Sequence, residues 1–391
     1  MFPHSKSSHH EKASHPARET FMFNPYEVAF CGFSHSGKTT VLTRLVPELS
    51  REFKIGYVKN DVHSFQMDKE GKDTFKVKQS GADFAFISDP VHFAFVRSGR
   101  ADQMSHQNIF LDADIVLVEG YKNSQIPKFI FVDEHEEILK DIQDQKFKNV
   151  IGFIGIKTSY PALPSDVAYF HREDIAGIKR CLLRHFQSRA REIPFYGLLL
   201  AGGKSTRMRQ DKSLLQYHGK SQLEHGFELL SRICPKVFVS VRQEQADCAG
   251  YSHLPQVHDQ ILNAGPLGGI LSAMSAYPQA AWFVLACDLP FLDLKALEHL
   301  NQRRNPFKFA TVYQSSHEAL PEPLCAIYEP KAKFRLNQFF ANGIHCPRKI
   351  LLNSDIRMIP PEEAMSLDNI NHPEEYQKAA AVLKRKTETS A

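Results

Sequence analysis

The sequence lacks several features that would assign it to a specialised class of protein. None of its seven cysteines forms a Cys-x-x-Cys pair, so their spacing supports neither a disulfide framework nor a zinc site and favours a reducing compartment. No apolar run reaches the roughly 18 residues of a transmembrane helix, and the polar N-terminus lacks the apolar core of a signal peptide. We therefore expect a cytoplasmic protein without a membrane partner.

An excess of charge of one sign is also missing. The chain has 48 basic and 44 acidic residues, which leaves a formal net charge of +4 over 391 residues. So small an excess does not argue for a nucleic-acid partner, although it would suit a phosphorylated ligand. Hydrophobic residues make up 42% and charged residues 24%, as in ordinary globular proteins, and the length fits two domains.

Apolar runs in the first half of the chain alternate with stretches of helical periodicity. Residues 1–25 precede these runs and are mainly polar, so we expect a disordered tail there. Continuous apolar runs are typical of strands buried on both faces of a parallel sheet. The pattern predicts an α/β domain over residues 26–188 that closes with a helix over 173–188. Its predicted strands cover residues 27–31, 55–58, 115–118, 129–132 and 150–154.

A second α/β pattern begins after the charged stretch and proline at residues 188–194. Its predicted strands cover residues 195–200, 237–241 and 282–286. The glycine motifs of the two halves differ, so the second half is not a repeat of the first. We expect a second α/β domain over residues 194–391.

The turn after the first predicted strand carries the pattern G-x-x-x-x-G-K-[ST], from Gly32 to Thr39. Its glycines let successive backbone N–H groups point at phosphate oxygens, and the following helix adds the positive end of its dipole. Lys38 is expected to reach the β- and γ-phosphates and Thr39 to ligate Mg²⁺. The strand before the motif and the helix after it favour a phosphate site over a plain glycine-rich turn. The predicted nucleotide-binding residues here are Gly32, Ser36, Gly37, Lys38, Thr39, Thr40 and Glu119.

Two acidic residues bracket the predicted strand over 115–118. Glu119 follows the strand, at the carboxyl edge of the sheet where ligands bind, and should lie beside the P-loop. Asp114 precedes the strand. It could support Mg²⁺ or a water molecule, or it could only cap the start of the strand, and both interpretations stay open.

A glycine-rich loop follows the first strand of the second half. It contains Gly202 and Gly203 and the basic residues Lys204, Arg207 and Lys212. Three cations in one short loop repel each other unless an anion lies among them, and a triphosphate is the natural anion. The paired glycines after an apolar strand favour this interpretation over a solvated basic loop.

An acidic residue ends another long apolar strand of this half. A carboxylate at Asp288 can hold Mg²⁺ between nucleotide phosphates and a second substrate. Upstream, Asp259 precedes a small-residue turn at 265–270, whose glycines allow close backbone approach to a ligand. Alone, each feature is a weak indication, but together with the basic loop they predict a nucleotide site.

The first half resembles the molybdopterin-guanine dinucleotide biosynthesis adaptor family, MobB, over residues 26–188. The P-loop carries the resemblance together with residues 68–74, 118–122 and 127–128. It implies a P-loop NTPase-like domain that binds GTP and assists a guanylyltransferase. The family's histidine cluster after the second strand is reduced here to Lys59 and His63.

The second half resembles the molybdenum cofactor guanylyltransferase family, MobA, over residues 194–385. Its matching motifs are Leu-Ala-Gly-Gly-x-Ser-x-Arg-Met from Leu200, Asp-Lys at 211–212, Gly-Pro-Leu-Gly-Gly at 265–269 and Cys-Asp-Leu-Pro at 287–290, with further matches at 323–328 and 369–375. The resemblance implies a Rossmann-like nucleotidyltransferase domain that uses Mg²⁺ to transfer GMP from GTP to molybdopterin. Where the family has glycine before x-Asp-Lys, this sequence has Arg209.

The resemblance also implies a role for each residue of the second site. Arg207, Lys212 and Asp288 would be catalytic, with Asp288 and, in the first half, Thr39 as metal ligands. Asn371 is a candidate for completing the site. The nucleotide-binding residues would be Leu200, Ala201, Gly202, Gly203, Lys212, Asp259 and Asp288.

Other functions remain compatible with these motifs. The same fold could serve a cytidylyltransferase or a sugar-phosphate nucleotidyltransferase. The chain could also be a GTP-binding scaffold that delivers cofactor and transfers weakly, for which Arg209 is the motivating feature. The expected ligands are GTP and molybdopterin, and molybdoenzymes or their chaperones are further candidate partners.

Overall fold

A computed structural model describes residues 21–60, 70–99, 102–201, 214–217, 219–245, 252–261, 263–315, 319–370 and 373–389. The chain divides into two compact units. The first comprises Met1–Thr39, Gly56–Leu111 and Val116–Tyr169, and the second comprises Thr40–Ile55, Asp112–Ile115 and Phe170–Ala391. Most of the predicted tail, residues 1–20, lies outside the described residues. Phe23 is described and buried, and its backbone N–H donates to Glu27.

A six-stranded sheet forms the core of the first unit, in the order β2-β5-β1-β6-β7-β8. The pairs β1–β5, β1–β6 and β6–β7 are parallel, as the continuous apolar runs predict. Val28, Phe30, Leu117 and Phe129 on its central strands have no exposed surface. The strands are β1 Glu27–Cys31, β2 Ile55–Lys59, β5 Ile115–Glu119, β6 Lys128–Phe131, β7 Val150–Gly155 and β8 Tyr169–His171.

A separate hairpin, which the sequence analysis did not predict, pairs β3 Phe84–Ser88 with β4 Phe93–Arg97 in antiparallel register. The helices before residue 195 are α1 Lys38–Ser50, α2 Asp73–Gln79, α3 Gln103–Ile109, α4 Ile138–Gln143 and α5 Ile175–Glu192. The Asp174 carboxylate caps the start of α5 by accepting from Gly177 N at 2.8 Å. The helix runs beyond the predicted end at 188 and stops at Ile193, because the following proline favours an extended residue before it.

A seven-stranded sheet forms the core of the second unit, in the order β11-β10-β9-β12-β14-β13-β15. Strands β9 to β12 run parallel, whereas β14 is antiparallel to both β12 and β13. The strands are β9 Phe195–Leu200, β10 Lys236–Val241, β11 Gln256–His258, β12 Ala281–Ala286, β13 Ala310–Gln314, β14 Pro321–Tyr328 and β15 Arg357–Ile359. Mixed α/β architecture with parallel sheets is therefore confirmed for the chain.

Helices cover this second sheet. They are α6 Gln222–Ser231, α7 Pro266–Ala276, α8 Leu294–Gln302, α9 Ala332–Ala341, α10 Pro347–Leu352 and α11 Pro373–Thr389. Trp282, the single tryptophan of the chain, is fully buried on β12. Its ring lies within 6.0 Å of the rings of Tyr196, Phe238 and Tyr277. Because β14 is antiparallel, its first residues share an edge with the carboxyl ends of β9 and β12.

Candidate functional sites

The P-loop forms a tight turn between β1 and α1. Gly37 has φ +89°, which a residue with a side chain rarely adopts. A Cβ at Gly32 would lie 2.8 Å from Ser36 Oγ and 2.9 Å from Phe131 Cβ, so only glycine fits there. Both glycines of the motif are therefore required by the geometry of this turn.

Lys38 folds back over the loop that precedes it. Its ammonium donates to Gly32 O at 3.2 Å, Phe33 O at 2.7 Å and Ser36 Oγ at 3.3 Å. Burial lowers the pKa of Lys38, and the negative charge of Glu119 opposes that shift. A half-buried cation held by loop carbonyls can exchange those contacts for phosphate oxygens.

Glu119 accepts hydrogen bonds from a residue of helix α1 and from a residue of strand β2. The Thr39 hydroxyl donates to its carboxylate oxygens at 3.3 Å, and the Tyr57 hydroxyl donates at 2.7 Å. Burial, with the hydrogen bond to Glu119, raises the pKa of Tyr57. The Thr39 hydroxyl and the Glu119 carboxylate are oxygen donors of the kind that Mg²⁺ prefers. The sequence analysis did not predict Tyr57 as a site residue. Its contact with Glu119 depends on β2 lying beside β5 in the sheet.

Asp114 lies at the opposite end of β5 from Glu119. Its buried carboxylate accepts at 2.9 Å from the backbone N–H of Lys54, the residue before β2. Thr40 is exposed on α1, one residue beyond the contacts that Thr39 makes. Of the predicted residues, Gly32 and Ser36 contact Lys38, and Thr39 contacts Glu119.

The basic loop of the second site follows β9. Leu200 ends that strand, and Ala201 N donates to Ser240 O at 3.3 Å, which fixes the point where the loop begins. The rest of the predicted loop lies outside the described residues, and so do Asn371 and His63. The loop residues concerned are Gly202, Gly203, Lys204, Arg207, Arg209 and Lys212.

Asp259 directly follows β11 and lies against the start of α7. The Ser240 hydroxyl donates to its carboxylate at 2.6 Å. A Cβ at Gly269 would lie 2.3 Å from Ser240 Oγ and 3.3 Å from Asp259 Oδ1, so the glycine permits this close packing. Burial raises the pKa of Asp259, while the bond from Ser240 opposes the shift.

Asp288 follows β12 at the same carboxyl edge. It is half-buried, and its carbonyl oxygen accepts from Ile370 N at 3.0 Å. This contact places Ile370 at the carboxyl end of β12. Since β9 to β12 are parallel, Asp259 and Asp288 lie at the edge from which the basic loop leaves the sheet.

Two charged residues beside Asp288 were not predicted. Glu322, near the start of β14, accepts from Arg348 of α10 at 3.0 Å. Burial and the charge of Asp288 raise the pKa of Glu322. The sequence analysis could not predict this pair, because Glu322 and Arg348 are far apart in sequence. They meet only when β14 pairs with β12 and α10 packs on β14.

Comparison with known proteins identifies both halves. Residues 28–155 match the family of molybdopterin guanine dinucleotide synthesis protein B, and residues 197–354 match the MobA-like NTP transferase domain. A probable molybdenum cofactor guanylyltransferase of Flavobacterium johnsoniae is 31% identical over 133 residues, which are 34% of this chain and 67% of that protein. The chain belongs to the MobA-like NTP transferase family. A match to the MobB family therefore precedes the match to the NTP transferase domain along the chain.

Two further relatives match the chain. A molybdenum cofactor biosynthesis bifunctional protein of Synechocystis is 37% identical over 185 residues, covering 47% of this chain. The chain spans about half of that relative's length, 53%. A molybdopterin-guanine dinucleotide biosynthesis adapter protein of Haemophilus influenzae is 33% identical over 118 residues, which are 29% of this chain and 65% of that protein.

No helix in the described ranges is long and apolar enough to cross a membrane. Within the same part of the chain, no group of three or more His, Cys, Asp or Glu side chains is arranged to hold a metal ion.

Proposed function

We propose that the chain transfers GMP from GTP to the terminal phosphate of molybdopterin, with release of pyrophosphate, and that its P-loop half binds GTP and assists. The observation that carries the proposal is that Asp259 and Asp288 both follow parallel strands at the carboxyl edge of the sheet, where β9 also ends. The names of the Flavobacterium and Haemophilus relatives support the choice of guanine nucleotide and pterin.

The reaction needs positioning and charge neutralisation more than covalent chemistry from the protein. An oxygen of the acceptor phosphate attacks the α-phosphorus of GTP, the bond from that phosphorus to the β-phosphate oxygen breaks, and pyrophosphate leaves. Arg207 and Lys212 neutralise the triphosphate, and Gly202 and Gly203 offer backbone N–H groups.

Acidic residues serve the same centre from the strand ends. Asp288 would hold Mg²⁺, because a half-buried carboxylate at the sheet edge is a suitable oxygen ligand. Mg²⁺, when bound, supplies positive charge that stabilises the phosphates during transfer. Asp259 would contact the nucleotide or Mg²⁺ at the same edge of the sheet.

The P-loop half binds its own GTP. Lys38 exchanges its loop carbonyls for the β- and γ-phosphates, and the Thr39 hydroxyl beside Glu119 would ligate Mg²⁺. This second site assists and does not perform the transfer.

The test is pyrophosphate release by the purified chain with Mg²⁺ and molybdenum-loaded molybdopterin, with GTP and CTP in parallel. We expect release with GTP, a loss on the order of 100-fold for Asp288→Ala, and retention of transfer by Lys38→Ala. The exposed carboxylate Glu298, changed to alanine, is the matched control. Release with CTP alone would overturn the named product, and loss of transfer in Lys38→Ala but not in Asp288→Ala would move the chemistry to the other half.

A further inference from the structure

A glutamate and a lysine meet at the carboxyl ends of β6 and β7, in the half of the chain that carries the P-loop. Glu136 lies in the turn after β6, and Lys157 follows β7 by two residues. Val132 N donates to Ile154 O at 2.8 Å, so the two strand ends lie side by side. The Glu136 and Lys157 side chains form an ion pair and are 34% and 56% exposed, respectively. The pair is therefore accessible to a ligand at this edge of the sheet.

Two tyrosine hydroxyls fix the backbone of Lys157. The hydroxyl of the buried Tyr160 accepts from Lys157 N at 3.3 Å and from Ile156 N at 3.2 Å. On the other side of the same residue, the Tyr169 hydroxyl donates to Lys157 O at 2.5 Å. The two phenol rings contact each other edge to face, with 5.4 Å between their centroids. An exposed side chain thus starts from a backbone that is held on both of its polar groups.

Glu136 reaches Lys157 from a backbone conformation that residues with side chains rarely adopt. Its φ is +59°, which costs free energy because the Cβ crowds the following carbonyl. Asp133 holds the turn, since its carboxylate accepts from Glu137 N at 3.1 Å and from Ile138 N at 3.0 Å. An exposed ion pair contributes little stability, so the pair by itself does not explain the strained turn. Such strained residues cluster where ligands are held.

The P-loop determines which way a nucleotide would run along this edge. With the nucleotide bound as proposed, Lys38 takes the β- and γ-phosphates, and Thr39 and Glu119 would hold Mg²⁺. Strands β5 and β6 lie on opposite sides of β1, and Glu119 ends β5. The γ-phosphate therefore occupies the β5 side, and the nucleoside extends from the α-phosphate toward β6 and β7. Strand β7 lies two strand spacings from β1, about 10 Å, which a ribose and a base can span.

We propose that Glu136 and Lys157 recognise the guanine base of the nucleotide held by the P-loop. This role rests on the proposed function. Guanine presents O6 and N7 as acceptors, and N1–H and its 2-amino group as donors. The Lys157 ammonium donates to O6 or N7, and the Glu136 carboxylate accepts from N1 and the amino group. Adenine has an amino group where guanine has O6, so it would meet the ammonium with a donor and bind more weakly.

One substitution should change which purine is preferred. Xanthine keeps O6 and N1–H but has a carbonyl oxygen in place of the 2-amino group of guanine. The amide of Glu136→Gln offers an acceptor for N1–H and a donor for that carbonyl. We expect Glu136→Gln to bind the guanine nucleotide roughly tenfold to a hundredfold more weakly, the range of one charge-assisted hydrogen bond, and to prefer the xanthine nucleotide. A misfolded variant could not gain this preference.

A second variant separates the two members of the pair. Lys157→Met removes the donor to O6, which guanine and xanthine share, while it keeps an unbranched side chain of similar length. It should therefore weaken binding of both nucleotides by roughly tenfold without reversing the preference between them. A merely structural ion pair would leave the ratio of the affinities for the two bases unchanged in both variants.

Equilibrium dialysis with Mg²⁺ and the β,γ-imido analogues of GTP, XTP and ATP provides the measurement. Only the occupancy that Lys38→Ala abolishes is counted, so that the P-loop site is observed alone. Asp141→Asn, which disrupts a similarly exposed ion pair with Lys146, is the matched control and should keep the preference for guanine. Equal binding of the guanine and adenine analogues by the wild type, or an unchanged preference in Glu136→Gln, would overturn the role of the pair while nucleotide binding at the P-loop stands. Absence of any Lys38-dependent binding would instead contradict the proposed function of this half, and the role of the pair with it.

Discussion

At the scale of single residues, the second site keeps a carboxylate in an environment that disfavours its charge. Asp259 has one hydroxyl donor, Ser240, and lies against the glycine at the first turn of α7. Its raised pKa means that the folded chain holds this proton more tightly than the unfolded chain does. The charged form therefore costs stability in the ligand-free chain.

Asp259→Asn should stabilise the ligand-free chain at neutral pH while transfer activity is lost. We expect a gain of up to about 1 kcal/mol in the free energy of unfolding. Because the folded pKa is raised, the penalty develops as the pH rises through the unfolded and then the folded pKa. The gain should thus be full at pH 7 and vanish below about pH 4. Urea unfolding at both pH values measures it.

Ser240→Ala provides a control of opposite sign. It removes the hydroxyl that compensates Asp259, so the free energy of unfolding should fall at neutral pH. A Ser240→Ala variant as stable as the wild type would contradict the account of the Asp259 environment.

At the scale of elements, local hydrogen bonds fix where helices begin. Helix α6 has a capping box, in which Ser221 Oγ accepts from Glu224 N at 3.2 Å and Glu224 Oε2 accepts from Ser221 N at 2.9 Å. The Ser221 hydroxyl, which donates to the Glu224 carboxylate at 2.8 Å, lowers the pKa of Glu224, and the bond from Ser221 N adds to that shift. Helix α6 packs on β9 and β10, so its starting point supports the strand that leads to the basic loop.

Ser221→Ala should lower the free energy of unfolding by about 1 kcal/mol at pH 7, the usual effect of losing a cap. The depressed folded pKa of Glu224 means that its contribution is present above the unfolded pKa and is lost as the pH falls through the folded value. The difference between variant and wild type should therefore shrink in acid. Ser231→Ala, at the exposed end of the same helix, should change stability by less than about 0.5 kcal/mol.

Elements whose residues make a continuous apolar run were predictable, and those with interrupted patterns were not. Strands β1, β5, β9 and β12 were predicted within one or two residues. A strand that is buried on both faces appears in the sequence as a continuous apolar run, which is easy to recognise. Strand β14 carries Pro321 and Pro323, which usually exclude a central strand. It is nevertheless central, and its register shift against β13 lies within the segment that holds these prolines.

At the scale of the whole molecule, the sequence predicted two α/β halves and the P-loop turn after β1, because each pattern is local. It did not predict contacts between segments that are distant in sequence. Tyr57 reaches Glu119, Ser240 reaches Asp259 and Arg348 reaches Glu322 only through the order of the strands. The order of the strands cannot be deduced from the spacing of residues in the sequence. These three contacts could therefore be identified only in the structure.

Two independent nucleotide sites should be countable. We expect equilibrium dialysis with Mg²⁺ and a non-hydrolysable GTP analogue to give about two nucleotides per wild-type chain. Lys38→Ala should reduce the number to about one, because the P-loop then loses its phosphate-binding ammonium. Lys76→Ala, which changes an exposed lysine on α2, is the control and should retain both. One nucleotide in every variant would contradict separate sites.

The burial of Trp282 has a consequence for how this chain can be observed. It is the single indole of the chain, and its ring is enclosed by Tyr196, Phe238 and Tyr277 without access to water. Fluorescence excited selectively in the indole therefore comes from one place in the seven-stranded sheet. Its emission maximum should be blue-shifted, as in an apolar environment. That emission reports the transferase sheet, whereas the MobB sheet contains no indole, and its melting would pass unseen in a fluorescence trace.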